Sequence, residues 1–179
     1  DGMNTVVVSS GDSGIYGMAG LVLEYLERWA LVDRIDLQII PGIPALCAAA
    51  ALLGAPLMHD FACVSLSDLL TPLPTIMKRV WAAAEADFVL VLYNPKSRKR
   101  SSYLADVLDI VARQRGPQTP VGFVRNAFRQ DQEVLATTLE SCDPDRADML
   151  TIVIVGNSAS RLVSDKILTP RGYFEKYGV

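Results

Sequence analysis

Histidine and cysteine are scarce in this chain. His59 is the only histidine, and Cys47, Cys63 and Cys142 are the only cysteines among 179 residues. No two cysteines have C-x-x-C spacing, so neither a zinc site nor a disulfide framework follows. No metal site is expected, and a reducing cytoplasm is the simplest setting. A basic excess is also missing. Seventeen Lys and Arg against 20 Asp and Glu give a net charge of −3, which argues against a general nucleic-acid binder. No secretory signal is visible. The longest apolar run, Ala45 to Met58, is broken by Gly54 and Pro56 and is too short to span a bilayer. Half of the residues are hydrophobic, which excludes a disordered chain. A chain of this length can bury roughly 70% of its unfolded surface, enough for one domain or two small ones.

The stretch from Val6 to Met18 organises what is present. Val6-Val7-Val8 reads as a buried strand, since a strand covered on both faces needs no polar alternation. It enters Ser9-Ser10-Gly11-Asp12-Ser13-Gly14, a cluster of turn formers. Beyond it Ile15, Met18, Ala19, Val22, Leu26 and Trp29 recur at the spacing of one helical face. Strand, glycine turn and helix form the unit that places ligands at strand carboxyl ends in open α/β sheets. The spacing G-x-x-G-x-x-G is neither the dinucleotide fingerprint nor the phosphate loop. It serves equally as a ligand-binding turn or as a tight turn with close helix–sheet packing.

A second strand is predicted over Ile35 to Ile40, ending in Pro41-Gly42-Ile43-Pro44. Pro44 suits the first position of a helix from Ala45 to Leu53, which is apolar all round and therefore expected to be buried. The turn formers from Gly54 to Asp60 suggest a boundary between subdomains, 1–57 and 58–179. Strands are expected at Phe61–Leu66, Asp87–Tyr93, Thr119–Arg125, Glu133–Thr138 and Leu150–Val155. One helix, capped by Thr75, should run to about Ala86. Another should follow Ser101-Ser102 and bury Leu104, Val107, Leu108 and Val111. From Ile167 onward the chain reads as a tail.

Lys96, Arg98, Lys99 and Arg100 precede the positive end of that last helix, where cations are mildly unfavourable. Their grouping fits an anionic ligand, with a solvated loop as the alternative. Arg125 and Arg129 bracket a polar loop and offer a second anion contact or an ordinary turn.

Five ordered segments, SSGDSGIYGM, PGIPALCAAAALLGAP, VLVLYNPKSRKR, VGFVRNAFRQDQEV and LTIVIVGNS, together resemble the tetrapyrrole methylase family. The resemblance spans essentially the whole chain. It implies an α/β fold of two subdomains with a cleft for S-adenosylmethionine between them, a homodimer, and C-methylation of a corrin precursor. It places Gly11, Asp12, Ile15, Pro44, Ala45, Asn94, Ala127, Leu150 and Thr151 at the cofactor. It makes Lys96, Arg98, Lys99, Arg100, Arg125 and Arg129 clamps for the carboxylates of the substrate. Asp12 is the one acidic residue nominated to move a proton, with capping of the following helix as its other role. Ser13 stands where the family usually has proline. The family's opening strand with its own glycine loop is not found, so the first subdomain is expected to be incomplete.

Two rival functions remain open. A nicotinamide-dependent oxidoreductase shares the strand–turn–helix logic, but the glycine spacing and the absence of a ribose-binding acid after Ile40 oppose it. A non-catalytic folding or dimerisation unit is the other.

Overall fold

The computed structural model describes residues 3–97 and 100–178. The chain divides into two compact units, residues 1–47 and 48–179.

In the first unit one helix dominates, α1 (Ala19–Arg28). It starts four residues later than the apolar spacing predicts. Tyr16 adopts φ 52°, a left-handed conformation that cannot be continued as a right-handed helix. Ala19, Val22 and Leu26 form its half-buried stripe, while Ile15, Met18 and Trp29 are exposed. The carboxyl end closes with paired bonds, Ala30 N to Glu27 O at 3.0 Å and Leu31 N to Leu26 O at 2.8 Å. That geometry puts a left-handed residue just past the helix, and Ala30, at φ 51°, fills the position glycine usually takes. The strands expected at Val6–Val8 and Ile35–Ile40 are not formed: among the described residues neither segment joins a sheet. Val6 and Val8 are 82% and 85% exposed. An apolar run supplies the side chains of a buried strand, but a strand exists only where a neighbour completes its ladder.

Helix α2 (Ala45–Leu53) occupies the predicted span. It is not buried all round: Leu46, Ala49 and Leu53 are buried, whereas Ala45, Cys47 and Ala51 are exposed. Its exposed positions are mostly alanine, which is small enough to face water at little cost.

The second unit is built on a five-stranded sheet. Naming its strands in chain order with the smaller sheet gives β1 (Gly54–Ala55), β2 (Phe61–Ser65), β3 (Val89–Tyr93), β4 (Pro120–Arg125), β5 (Glu133–Thr138), β6 (Thr151–Val155), β7 (Arg161–Val163) and β8 (Lys166–Leu168). The large sheet has the order β2-β3-β6-β4-β5. β2 and β3 are parallel, and the remaining pairs are antiparallel. Helices α3 (Leu73–Glu85) and α4 (Tyr103–Ala112) contribute to its core. Ile76, Val80 and Ala84 of α3 and Leu104, Val107, Leu108 and Val111 of α4 join Val64, Leu90, Leu92, Val121, Phe123, Val153 and Val155 in one apolar cluster. The buried face of α4 is the one its spacing predicts. Helix α3 begins before Thr75, because Pro74 in its first turn lacks an N–H that would be unpaired anyway.

At Gly122 of β4, a Cβ would lie 2.4 Å from Leu53 Cδ1 and 3.1 Å from Ile167 Cδ1, so α2 and β8 both reach the sheet there. β8 pairs with β1 in parallel and with β7 in antiparallel register. The segment read as a tail from Ile167 therefore begins inside a hairpin whose turn holds Ser164 at φ 55°. The last helix is α5 (Tyr173–Tyr177).

Candidate functional site

The Ser9–Gly14 turn of the first unit is locked to the Pro41–Pro44 turn. Asp12 Oδ2 accepts from Gly42 N at 2.9 Å, and Oδ1 accepts from Gly14 N at 2.8 Å. Ser13 Oγ donates to Ile40 O at 3.2 Å. A Cβ at Gly42 would sit 2.0 Å from Gly11 O, so the two backbones abut. Gly11 itself is at φ 75°, which glycine adopts without penalty. The bonds from Gly42, Gly14 and Ile15 hold the Asp12 carboxyl below its usual range against a small desolvation effect. Asp12 does not cap α1, whose amino-terminal Met18 position has no side-chain bond. Its carboxylate joins the two turns instead. Ile15, Ala45 and Gly11 are exposed, and Pro44 is half-buried.

In the second unit, sheet register collects the other nominated residues at one end. β2 and β3 finish there, at Ser65 and Tyr93, which are paired in register. β6 starts and β4 finishes there, with Arg125 opposite Thr151 and Arg125 opposite Glu133 on β5. Asn94, at φ 51°, donates from Nδ2 to Ser65 Oγ at 2.9 Å. Across the sheet end, Asn126 N donates to Leu150 O at 3.2 Å, so the loop carrying Ala127 is tied to the segment entering β6.

Asp148 organises this end. It accepts from Arg125 Nε at 2.8 Å, from Leu150 N at 2.9 Å and from Thr151 Oγ1 at 2.8 Å. Partial burial pushes its carboxyl up, but the bonds from Arg125, Thr151 and Leu150 prevail and lower it. Arg125 is raised in turn by its bond to Asp148. A small cavity of about 260 Å³ is lined here by Phe123, Arg125, Glu133, Arg146 and Thr151, among others. Composition and apolar patterning do not single out Asp148. Its signal was the Asp-Met-Leu-Thr order, in which an aspartate bonds the N–H two residues on.

The nominated cations are held differently. Lys96 Nζ meets Asp145 Oδ1 at 2.5 Å. Arg100 bonds Leu66 O at 2.8 Å, Asn94 O at 3.4 Å and Ser97 Oγ at 3.1 Å, so its guanidinium fastens the loop after β3 to the end of β2. Arg125 is shared between Asp148 and Glu133. Arg129 is exposed, and its side chain has no partner among the described residues. Arg98 and Lys99 lie outside the described residues.

The opposite end of the sheet carries a different cluster. Arg115, with its side chain 1% exposed, donates to Gly156 O and Phe88 O and lies 3.8 Å from Asp87. Asp87 accepts from Ser158 N at 2.9 Å and Ser158 Oγ at 2.6 Å. Burial lowers the Arg115 pKa, with Asp87 opposing. This cluster braces strand ends and is remote in the sheet from Asn94 and Thr151.

Exposed turns in the first unit and a sheet end carrying Asn94, Arg125 and Thr151 in the second belong to a chain of α/β class. The family model for tetrapyrrole (corrin/porphyrin) methylases matches residues 1–143. The chain is 52% identical over 172 residues to a probable cobalt-factor III C(17)-methyltransferase of Salmonella typhimurium, covering 96% of this chain and 70% of that protein. It is 40% identical over 178 residues to a precorrin-3B C(17)-methyltransferase of a Sinorhizobium species, again covering 96% and 70%. The crystal structure of the methyltransferase CobJ superposes with a TM-score of 0.89 at 40% identity, over 94% of this chain and 71% of that one. The chain belongs to the tetrapyrrole methylases.

Proposed function

We propose that the protein carrying this chain transfers a methyl group from S-adenosylmethionine to carbon 17 of a corrin precursor, precorrin-3B or its cobalt-bearing counterpart, with contraction of the ring. The observation that carries this reading is the 52% identity to a protein named for that reaction. The higher identity to the cobalt-factor III enzyme than to the precorrin-3B enzyme, 52% against 40%, favours the cobalt-bearing substrate.

Bound S-adenosylmethionine supplies an electrophilic methyl on a positively charged sulfur. The residues fit such a donor. Gly42 brings its main chain against Gly11 where a side chain would intrude, Gly11 holds a left-handed backbone, and Asp12 fixes the turn that carries Gly11 and Ile15. Gly11, Asp12 and Ile15, with Pro44, Ala45, Asn94, Ala127, Leu150 and Thr151, are the proposed cofactor contacts. Asp12 is ionised and held by backbone N–H groups, which suits it to positioning rather than to carrying a proton. Holding donor and acceptor in line can lower the barrier by roughly 7–11 kcal/mol. Arg129 is the readiest carboxylate clamp, because it has no competing partner among the described residues. Lys96, Arg98, Lys99, Arg100 and Arg125 are the further proposed clamps, of which Lys96 and Arg125 would have to exchange a carboxylate of this chain for one of the substrate. The enzyme acts as a homodimer in the cytoplasm. Among the described residues no helix is long and apolar enough to cross a membrane.

The test uses the full-length protein. Calorimetry with S-adenosylhomocysteine should show binding, and labelled methyl should pass from S-adenosylmethionine to the corrin precursor. Absence of binding at millimolar S-adenosylhomocysteine would reject the reading, and tight NADH binding would replace it with the oxidoreductase.

A further inference from the structure

Phe128 lies at a costly place. It is 68% exposed, and its backbone sits at φ 56°, a conformation that bulky residues rarely adopt. Asn126 and Asp131, at φ 50° and 59°, are left-handed in the same loop, where asparagine and aspartate are tolerated. A phenylalanine is not. A turn alone would be served better by glycine or asparagine. The loop is nevertheless firmly fixed. Phe128 N donates to Gln132 Oε1 at 2.7 Å, Arg129 N to Asn126 O at 2.9 Å, and Asn126 N to Leu150 O at 3.2 Å.

The surroundings suit one kind of ligand. Leu150 and Met149, on the segment this loop is tied to, are 54% and 51% exposed. Arg129 follows Phe128 directly and is unpaired among the described residues, while the Asp131 charge acts toward Arg125. An exposed ring beside a free guanidinium complements a large flat molecule with apolar faces and carboxylates at its rim.

We propose that Phe128 is the surface against which a face of the tetrapyrrole macrocycle lies, with Arg129 taking one of its carboxylates. This rests on the function proposed above and adds a specificity-determining residue to it. Ring and macrocycle stack offset, removing apolar area from water on both sides. The firm loop means that little order is lost on binding.

Full-length wild type is compared with Phe128→Ala, Phe128→Gly and Phe128→Trp, using the cobalt-bearing corrin precursor and S-adenosylhomocysteine as probes. Ala and Gly should raise KM for the tetrapyrrole about tenfold, a loss of roughly 1.4 kcal/mol. They should leave kcat and S-adenosylhomocysteine affinity nearly unchanged, and Trp should restore KM. Phe128→Gly should keep or raise the thermal midpoint, because glycine accepts the left-handed backbone. Unaltered KM in the Ala and Gly variants overturns the inference and leaves the methyltransferase standing. A loss of tetrapyrrole binding matched by a lower midpoint or weaker S-adenosylhomocysteine binding assigns Phe128 a structural role, and also overturns it. Wild type that binds S-adenosylhomocysteine but no tetrapyrrole overturns the proposed function and this inference together.

Discussion

The carboxylate of Asp12 accepts the backbone N–H of Gly42 at 2.9 Å, across thirty residues of sequence. Its other oxygen holds Gly14 N, so one side chain both shapes its own turn and fixes the neighbouring one. The bond reconciles two glycine-bearing segments that composition treats as separate. It also explains why an acidic residue stands in a turn proposed to meet a cofactor: its charge faces backbone N–H groups.

Replacing Asp12 by Ala should therefore loosen both turns. Amide exchange at Gly14 and Gly42 should quicken, and S-adenosylhomocysteine affinity of the full-length protein should fall about tenfold, equivalent to roughly 1.4 kcal/mol. Exchange left at the wild-type rate would show that the bond does not hold the turns.

The second unit was far more legible from sequence than the first, for a physical reason. β3 is apolar and buried but for half-buried Tyr93, β6 is buried throughout and apolar after Thr151, and α4 has a regular apolar spacing, so local pattern and tertiary role agree. Val6–Val8 and Ile35–Ile40 carry the same pattern without a ladder partner among the described residues, and pattern cannot report a partner. The β7–β8 hairpin escaped because three-residue strands are too short to show alternation, leaving only Ser164-Asp165 as a turn signal. The candidate site was legible as positions but not as bonding. Leu150, Thr151 and Ala127 do gather at one sheet end, yet Asp148, which fastens it, looked like one more loop acid. Nor could the sequence tell that Arg100 faces carbonyl oxygens while Arg129, the same residue type, has no partner among the described residues.

Two glycines should respond oppositely to the same substitution. Gly42→Ala puts a Cβ 2.0 Å from Gly11 O, a backbone atom that cannot swing away, and overpacking of this kind typically costs about 1–3 kcal/mol. A Cβ added at Gly20 of α1 would meet nothing within 4 Å, so Gly20→Ala should stabilise by about 0.5–1 kcal/mol through helix propensity. Thermal melts of the two variants should shift in opposite directions. A Gly42→Ala protein as stable as wild type would contradict the close approach of the turns.

Acid should weaken the fold through Asp12 and Asp148. Both carboxyls are lowered in the folded chain: Asp12 by N–H groups led by Gly42, and Asp148, against the upward push of partial burial, by Arg125 and Thr151. A depressed folded pKa means that the unfolded chain binds the proton first. The stabilisation is thus complete above the unfolded value near ~3.9 and is lost as pH falls through the lower folded values. Urea midpoints should be flat from neutral pH down to about pH 5 and then fall, with a shallower acid limb in Asp148→Asn. Equal limbs in variant and wild type would remove Asp148 from the account.

Arg115 provides the severest expected loss. Its guanidinium bridges Gly156 O and Phe88 O and faces Asp87, all at the end of the sheet away from the candidate site. Lysine has one ammonium and cannot reach both carbonyls in the plane that the guanidinium fork spans. Arg115→Lys should leave one carbonyl unpaired and cost about 1–3 kcal/mol. Arg115→Ala leaves both carbonyls unpaired and takes the nearby positive charge from Asp87, which keeps its bonds from Ser158, and should cost about 2–4 kcal/mol. Because the cluster is remote from Asn94 and Thr151, S-adenosylhomocysteine affinity of the folded Arg115→Lys protein should match wild type even as its urea midpoint falls. A midpoint that holds while affinity drops would place Arg115 in the ligand site and invert the assignment of the two sheet ends.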